Sequence, residues 1–379
     1  MGRSSADAQP SKQVLIGSPG TSAYSEVGLF PRGTEASIDL MYKNTLSPAL
    51  TIQTMADAHL PNSHPDVTPD WQPYDFPRTS LLEGIKVQLI EGSEGQRYAG
   101  SVPQVWGAVA GRRLAAHGGF CATTLMTTAR QYIRDKYEHL AQVEPLNMFV
   151  EYLAPLPVGP YQVALETLHL GKRGSTIQAR LISNEEEKDH TCTVGIIRFG
   201  ILKDEGHTEN IHPPVGPLPD RVNECMRWTD ALYFFFNPPT GSVRTYVPND
   251  KGTPFWSEKY GGQNSRYQWD KLDNGEKFQL EHITMLADLV PAIPANYAEE
   301  GLMVGARFRI PTTAIHIMFH SEVKDEEWLL TKSTMNRLHA GRFDMNIQII
   351  NDAGEIVASC VHLCSVIPQG KSGQITGKL

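Results

Sequence analysis

Asn147–Leu156 reads NMFVEYLAPL, and Ala314–Val323 reads AIHIMFHSEV. These two segments open parallel series. Tyr161–Asn184 (YQVALETLHLGKRGSTIQARLISN) answers to Trp328–Asp352 (WLLTKSTMNRLHAGRFDMNIQIIND), and Thr191–Gly200 answers to Glu355–Cys364. Each series runs as an extended segment, a second strand, a Gly-marked turn, a third strand, a charged loop and a fourth strand. An apolar helical segment precedes each, Gly118–Ile133 in the first half and Phe278–Val290 in the second. A repeat on this scale sets the architecture before any single residue does. The pattern predicts one helix against an antiparallel sheet, twice, which is an α+β arrangement. Two copies packed together also create a shared interface, where different walls can supply different chemistry.

Outward from the repeats, the boundaries follow composition. Residues 1–80 form an N-terminal extension: polar and small up to about residue 22, then Pro-rich, with too little periodic apolar sequence for a core of its own. The first repeat spans 81–205. Residues 206–250, rich in Pro, Asp and Asn, read as a connector anchored by Trp228 and the aromatic run Tyr233–Phe236. The second repeat spans 251–370, and 371–379 is a tail. Within the second repeat the helix is expected over Leu280–Val290, stopped by Pro291 and Pro294.

The chain has 379 residues, and its apolar (40%) and charged (20%) fractions are those of globular proteins. A net charge of -8 argues against nucleic-acid binding, which needs a basic face. No run of 18 apolar residues predicts a membrane span. The N-terminus lacks a secretory h-region, and five unpatterned Cys suggest reduced thiols, so a cytoplasmic location is expected. Gly377-Lys378-Leu379 is one residue from a peroxisomal tripeptide. No G-x-S-x-G elbow, P-loop or dinucleotide fingerprint is present, so no cofactor is expected.

His117-Gly118-Gly119-Phe120 at the first helix, the strand ending Leu156-Pro157-Val158-Gly159, and the series WDKLDNG, LADLVP and ASCVHL in the second half resemble acyl-CoA thioesterases of the double hotdog fold. The resemblance is closest to a fungal thioesterase-like branch and covers roughly residues 85–367. It implies a fold in which each helix is wrapped by a curved sheet and the two sheets join. It also implies an acyl-thioester hydrolase with an Asp, a Thr and a Gln from the second half. Asp288 matches the Asp. Thr312 matches the Thr, with Thr313 the neighbouring alternative. His362 stands where the Gln would be, and this departure opens acid–base chemistry of another kind.

Thioester hydrolysis needs a base for water and donors for the oxyanion. Asp288 is the candidate base and Thr312 the candidate water holder. His117, Gly118, Gly119 and Phe120 are candidate substrate-binding residues, with the helix N–H groups of Gly119 and Phe120 as the oxyanion donors. Each has a plainer reading. Asp288 can bond a neighbouring backbone, Thr312 can be an ordinary strand residue, His362 a core histidine, His117 a turn residue, and the Gly pair a device for close packing. Cys360-x-His362-x-Cys364 suggests a metal, but three ligands at period two on one strand suit a tetrahedral ion poorly, so none is expected. The expected partner is a small acyl substrate. Alternatives are a polyketide- or terpenoid-like intermediate that is dehydrated, isomerised or cyclised, or a non-catalytic binding role. Homo-oligomerisation is compatible with the fold.

Overall fold

The computed structural model describes residues 76–110, 113–184, 190–202, 211–228, 233–234, 237–250, 256–297 and 308–368. Most of the expected N-terminal extension, Phe235, Phe236, the segment around Phe255 and the C-terminal tail lie outside these residues.

Among the described residues, thirteen strands form one antiparallel sheet. Its first half holds β1 (Gln88–Leu89), β2 (Arg97–Val102), β5 (Glu144–Tyr152), β6 (Gly159–His169), β7 (Ser175–Ser183) and β8 (His190–Gly200). Its second half holds β9 (Cys225–Arg227), β10 (Val243–Pro248), β11 (Ser265–Leu272), β14 (Thr312–Phe319), β16 (Leu329–His339), β17 (Arg342–Asn351) and β18 (Ile356–Ser365). The spatial order is β1-β2-β6-β7-β8-β5-β14-β18-β17-β16-β11-β10-β9. Small two-stranded pairs are made by β3 (Gly107–Ala110) with β4 (Arg113–Ala116), β12 (Phe278–Gln279) with β15 (Lys324–Glu326), and β13 (Phe308–Arg309) with β19 (Ile367–Pro368).

The order is a palindrome about the β5–β14 junction. There Phe149 pairs with His316, the very residues that the repeat alignment equates. Their rings meet edge to face at 6.2 Å, so a local twofold axis passes between them. The connector is more than the linker expected from its composition. Alternating Val243–Val247 buries one face and pairs with β11, so β10 takes the place opposite β1, and β9 adds a strand with no counterpart in the first half.

Among the described residues, three helices accompany the sheet: the single turn α1 (Leu81–Gly84), the long α2 (Gly118–Lys136) and α3 (Leu280–Asp288). α2 lies on the sheet of the first half, burying Phe120, Leu125, Met126, Ala129 and Ile133 completely. Arg134 and Lys136 in its last turn complement the helix dipole. α3 begins with a capping box between Gln279 and His282. It ends two residues earlier than expected: Leu289 leaves helical geometry and Pro291 cannot continue the ladder. The two helices run antiparallel and touch. Thr123 and Thr284 hydroxyls are 2.6 Å apart, and Arg130 and Glu281 form an ion pair at 2.7 Å. A Cβ on Gly119 would lie 2.9 Å from the Met285 carbonyl oxygen, so glycine permits this approach. One continuous apolar core, from Leu81 through Ile133 and Met148 to Ile283 and Ile347, joins both halves. Among the described residues, no helix is long and apolar enough to cross a membrane.

Candidate active site

At the helix crossing, the last residue of α3 meets the first turn of α2. Asp288 Oδ2 accepts the Gly119 N–H at 2.7 Å. Its Oδ1 accepts the Thr312 hydroxyl at 3.2 Å. His117 Nδ1 stands 3.4 Å from Oδ2, and His362 Nδ1 stands 3.9 Å from Oδ1. The carboxyl group is only 7% exposed, so these contacts act with little water screening. Of the candidate residues, Asp288, Thr312, His362, His117, Gly118 and Gly119 therefore meet at one point, contributed by both halves of the chain.

Each side chain is aimed by its element. His117 is the N-cap of α2, and its Nδ1 accepts the Gly119 N–H at 3.1 Å. Burial lowers its pKa against the opposing pull of Asp288, so the ring is neutral and its proton sits on Nε2. Thr312 is selected over Thr313 by a β-bulge, where the pairing of β14 with β18 slips between Thr312 and Ala314. The bulge turns the Thr312 hydroxyl toward Asp288, while Thr313 donates to the Leu363 carbonyl on the more exposed face. His362 shares the buried face of β18 with Cys360 and Cys364. Burial lowers its pKa more than Asp288 and the nearby Ala287 backbone raise it. Among the described residues, neither of its ring nitrogens has a partner in good hydrogen-bond geometry.

The oxyanion expectation needs correction at Gly119. The Gly119 N–H is shared by Asp288 and His117, and it does not face an open position. The Phe120 side chain is fully buried against Trp106, a packing role. Gly118 makes room for the carboxylate, because a Cβ there would lie 2.5 Å from Asp288 Oδ2. The Gly pair thus serves close packing, Gly118 against Asp288 of α3 and Tyr152 of β5 and Gly119 against Met285 of α3.

The reading from sequence missed Tyr152. Its hydroxyl donates to the Gly118 carbonyl at 2.9 Å and its ring packs beside the same glycine. Burial and the neighbouring Asp288 push its pKa well up, so it acts as a neutral donor. Its place at the end of β5, beside the central junction, was the available signal. Three thiols also surround the carboxylate. Burial raises Cys121 and Cys360, and pushes Cys364 up to about 12, so none supplies a thiolate nucleophile. The site therefore holds one carboxyl group flanked by two neutral imidazoles and a hydroxyl, a set suited to moving a proton.

Residues 103–200 match the acyl-CoA thioesterase N-terminal domain, and residues 219–366 match the acyl-CoA thioesterase C-terminal domain. A search of curated proteins found no match. Among solved structures, a candidate thioesterase II from Thermobifida fusca superposes with a TM-score of 0.60 at 17% identity, over 76% of this chain and 98% of its own. A hotdog-fold protein from Alicyclobacillus acidocaldarius gives 0.58 at 16% identity, over 76% and 98%. An acyl-CoA thioesterase II from Mycobacterium marinum gives 0.55 at 16% identity, over 77% and 100%. At such identities the structures speak for the fold, while the two domain matches, in order and covering more than half of the sequence, speak for descent. The chain belongs to the acyl-CoA thioesterase superfamily of double hotdog proteins.

Proposed function

We propose that the protein hydrolyses acyl thioesters, with coenzyme A or a carrier as the thiol, at a water held against Asp288 Oδ1. The observation that carries this reading is the division of labour on one carboxyl group. Oδ2 is pinned by the Gly119 N–H, and Oδ1 faces Thr312 and the buried His362 ring. The 3.9 Å gap to His362 is too long for a direct hydrogen bond and suits a bridging water. In this mechanism Asp288 takes a proton from the water as its oxygen bonds to the thioester carbonyl carbon. The C–S bond then breaks, and the proton returns from Asp288 to the departing thiolate. The neutral His362 ring offers its N–H to the carbonyl oxygen as charge builds there, a role the Gly119 N–H cannot fill.

The plainer reading makes Asp288 a cap on α2 supplied from another element. One substitution separates the two. Asp288→Asn keeps one acceptor oxygen for the Gly119 N–H, presents an NH2 that the rotatable Thr312 hydroxyl can accept from, and removes the base. Thiol release from an acyl-CoA panel should fall by about 10²-fold or more, with the melting temperature little changed. Unaltered release in that variant would remove Asp288 from the chemistry.

A second reading has one observation in its favour: Asp288 lies between two buried neutral histidines, an arrangement that can pass protons without a water. A polyketide- or terpenoid-like intermediate would then be isomerised, dehydrated or cyclised, as a fungal biosynthetic enzyme would require. It predicts turnover of such a compound with no thiol released.

A further inference from the structure

The two halves differ on the inner face of the sheet. In the first half, Tyr161 pairs with Ser183, and Val163 and Leu165 follow on the same face, with Tyr98 opposite Val163. In the second half, Leu329 pairs with Asn351, so Thr331 takes the place of Val163, Ser333 that of Leu165, and Gln268 that of Tyr98. Three apolar positions have thus become polar. Thr331 and Ser333 are fully buried, and neither hydroxyl has a hydrogen-bond partner among the described residues. A fold that leaves two buried hydroxyls unbonded gives up stability at both.

These groups lie in register with the candidate active site. Ser333 pairs with Ile347, which pairs with Cys360, one row along from the row that joins Met335, Met345 and His362. Directly paired residues share a face. Ser333 is thus two strands over and one row along from His362, on the order of 12 Å by strand spacing and rise. The ground between is Met345, Met335 and Ile347, an apolar stretch with flexible thioethers. At the far side, the Gln268 amide nitrogen bonds Asp270 at 2.9 Å, and Asp270 also accepts the Thr245 hydroxyl at 2.5 Å. Gln268 is therefore held in place with its carbonyl oxygen uncommitted to that bond.

We infer that Ser333, with Thr331 and Gln268 beyond it, forms the distal end of the acyl site, and that Ser333 receives a hydroxyl or keto oxygen carried on the acyl chain about 12 Å from the thioester. This rests on the thioester lying at Asp288. The substrate class is then an oxygenated acyl group, as opposed to a plain fatty acyl chain.

Non-hydrolysable thioethers test the binding without needing turnover. S-decyl-CoA and S-(ω-hydroxydecyl)-CoA are titrated calorimetrically into the wild-type chain, Ser333→Ala and Thr331→Val/Ser333→Ala. The wild type should bind the hydroxylated thioether at least tenfold more tightly, and the double variant should bind both alike. Thr331→Ser, which keeps the hydroxyl, should retain the preference. Equal affinities in the wild type, no binding of either thioether, or a preference that survives in the double variant would overturn the inference. So would a higher melting temperature in the variants with discrimination unchanged, which marks the hydroxyls as packing defects. Thiol release from decanoyl-CoA, measured separately, reports on hydrolysis itself, so a failure there is not confused with a failure here.

Discussion

At the residue scale, the two adjacent threonines show how little separates a hydroxyl bonded to Asp288 from one bonded to a neighbouring strand. Thr312 and Thr313 are chemically identical neighbours, and only the bulge in β14 directs the first toward Asp288. Thr312→Val removes the hydroxyl at nearly constant volume. It should lower kcat for thioester cleavage by about tenfold to a hundredfold, the range of a lost positioning or donor group. Thr313→Val should leave kcat unchanged, because that hydroxyl only donates to the Leu363 carbonyl. If both variants behave alike in steady-state assays, the bulge has no part in the chemistry. The histidine at position 362, where the resemblance implies a glutamine, is equally local. It replaces an amide with a ring that is neutral because it is buried.

At the element scale, the site exists because two helices of unequal length cross at small residues. α3 has nine residues and ends at Asp288, so its carboxyl group reaches the first turn of α2. Had α3 continued, as its apolar run through Val290 suggested, Asp288 would sit inside the last turn and not at its end. Gly118 is the tightest point of the crossing. Gly118→Ala puts a methyl group 2.5 Å from Oδ2 and must displace the carboxylate. The expected result is loss of thiol release by tenfold or more, with a stability cost of about 1–3 kcal/mol typical of overpacking. Activity and melting temperature measured on the same preparation test this; full activity would show that the carboxylate tolerates displacement.

At the scale of the whole molecule, buried titrating groups give opposing pH dependences. His117, His282 and His362 all have pKa values lowered by burial. The unfolded chain then takes up protons first, so these residues make stability fall as pH drops below about 6.5. Asp270 works the other way. Burial raises its carboxyl to about 7, so its folded form keeps a proton that the unfolded chain releases. Its contribution falls as pH rises from about 4 to about 7. Melting temperatures between pH 5 and 8 should therefore separate the two. His362→Gln should flatten the acid-side loss, and Asp270→Asn should flatten the loss on the alkaline side. Identical profiles for wild type and both variants would refute the assignment. The acid limb of activity should follow the histidine, since a protonated His362 places a cation beside Asp288 and alters the proton inventory of the reaction.

The duplication, the α+β class and the helix-on-sheet unit were legible in the order of residues, because period-two alternation and Gly-marked turns are local signals. Asp288 was named through the family resemblance, and the apolar run to Val290 hid that the helix ends there. Other features were not legible. The choice of Thr312 over Thr313 depends on a bulge, which is a mismatch between two strands about 50 residues apart in sequence. Tyr152 became a site residue through a bond to a helix start in the same half, and the Gly119 N–H was lost as an oxyanion donor through a bond to the other half. The polar row at Gln268, Thr331 and Ser333 becomes visible only when strands from distant segments are laid in register. Local periodicity is written along the chain, but which groups share a hydrogen bond, and which are left without one, is set by packing between segments remote in sequence.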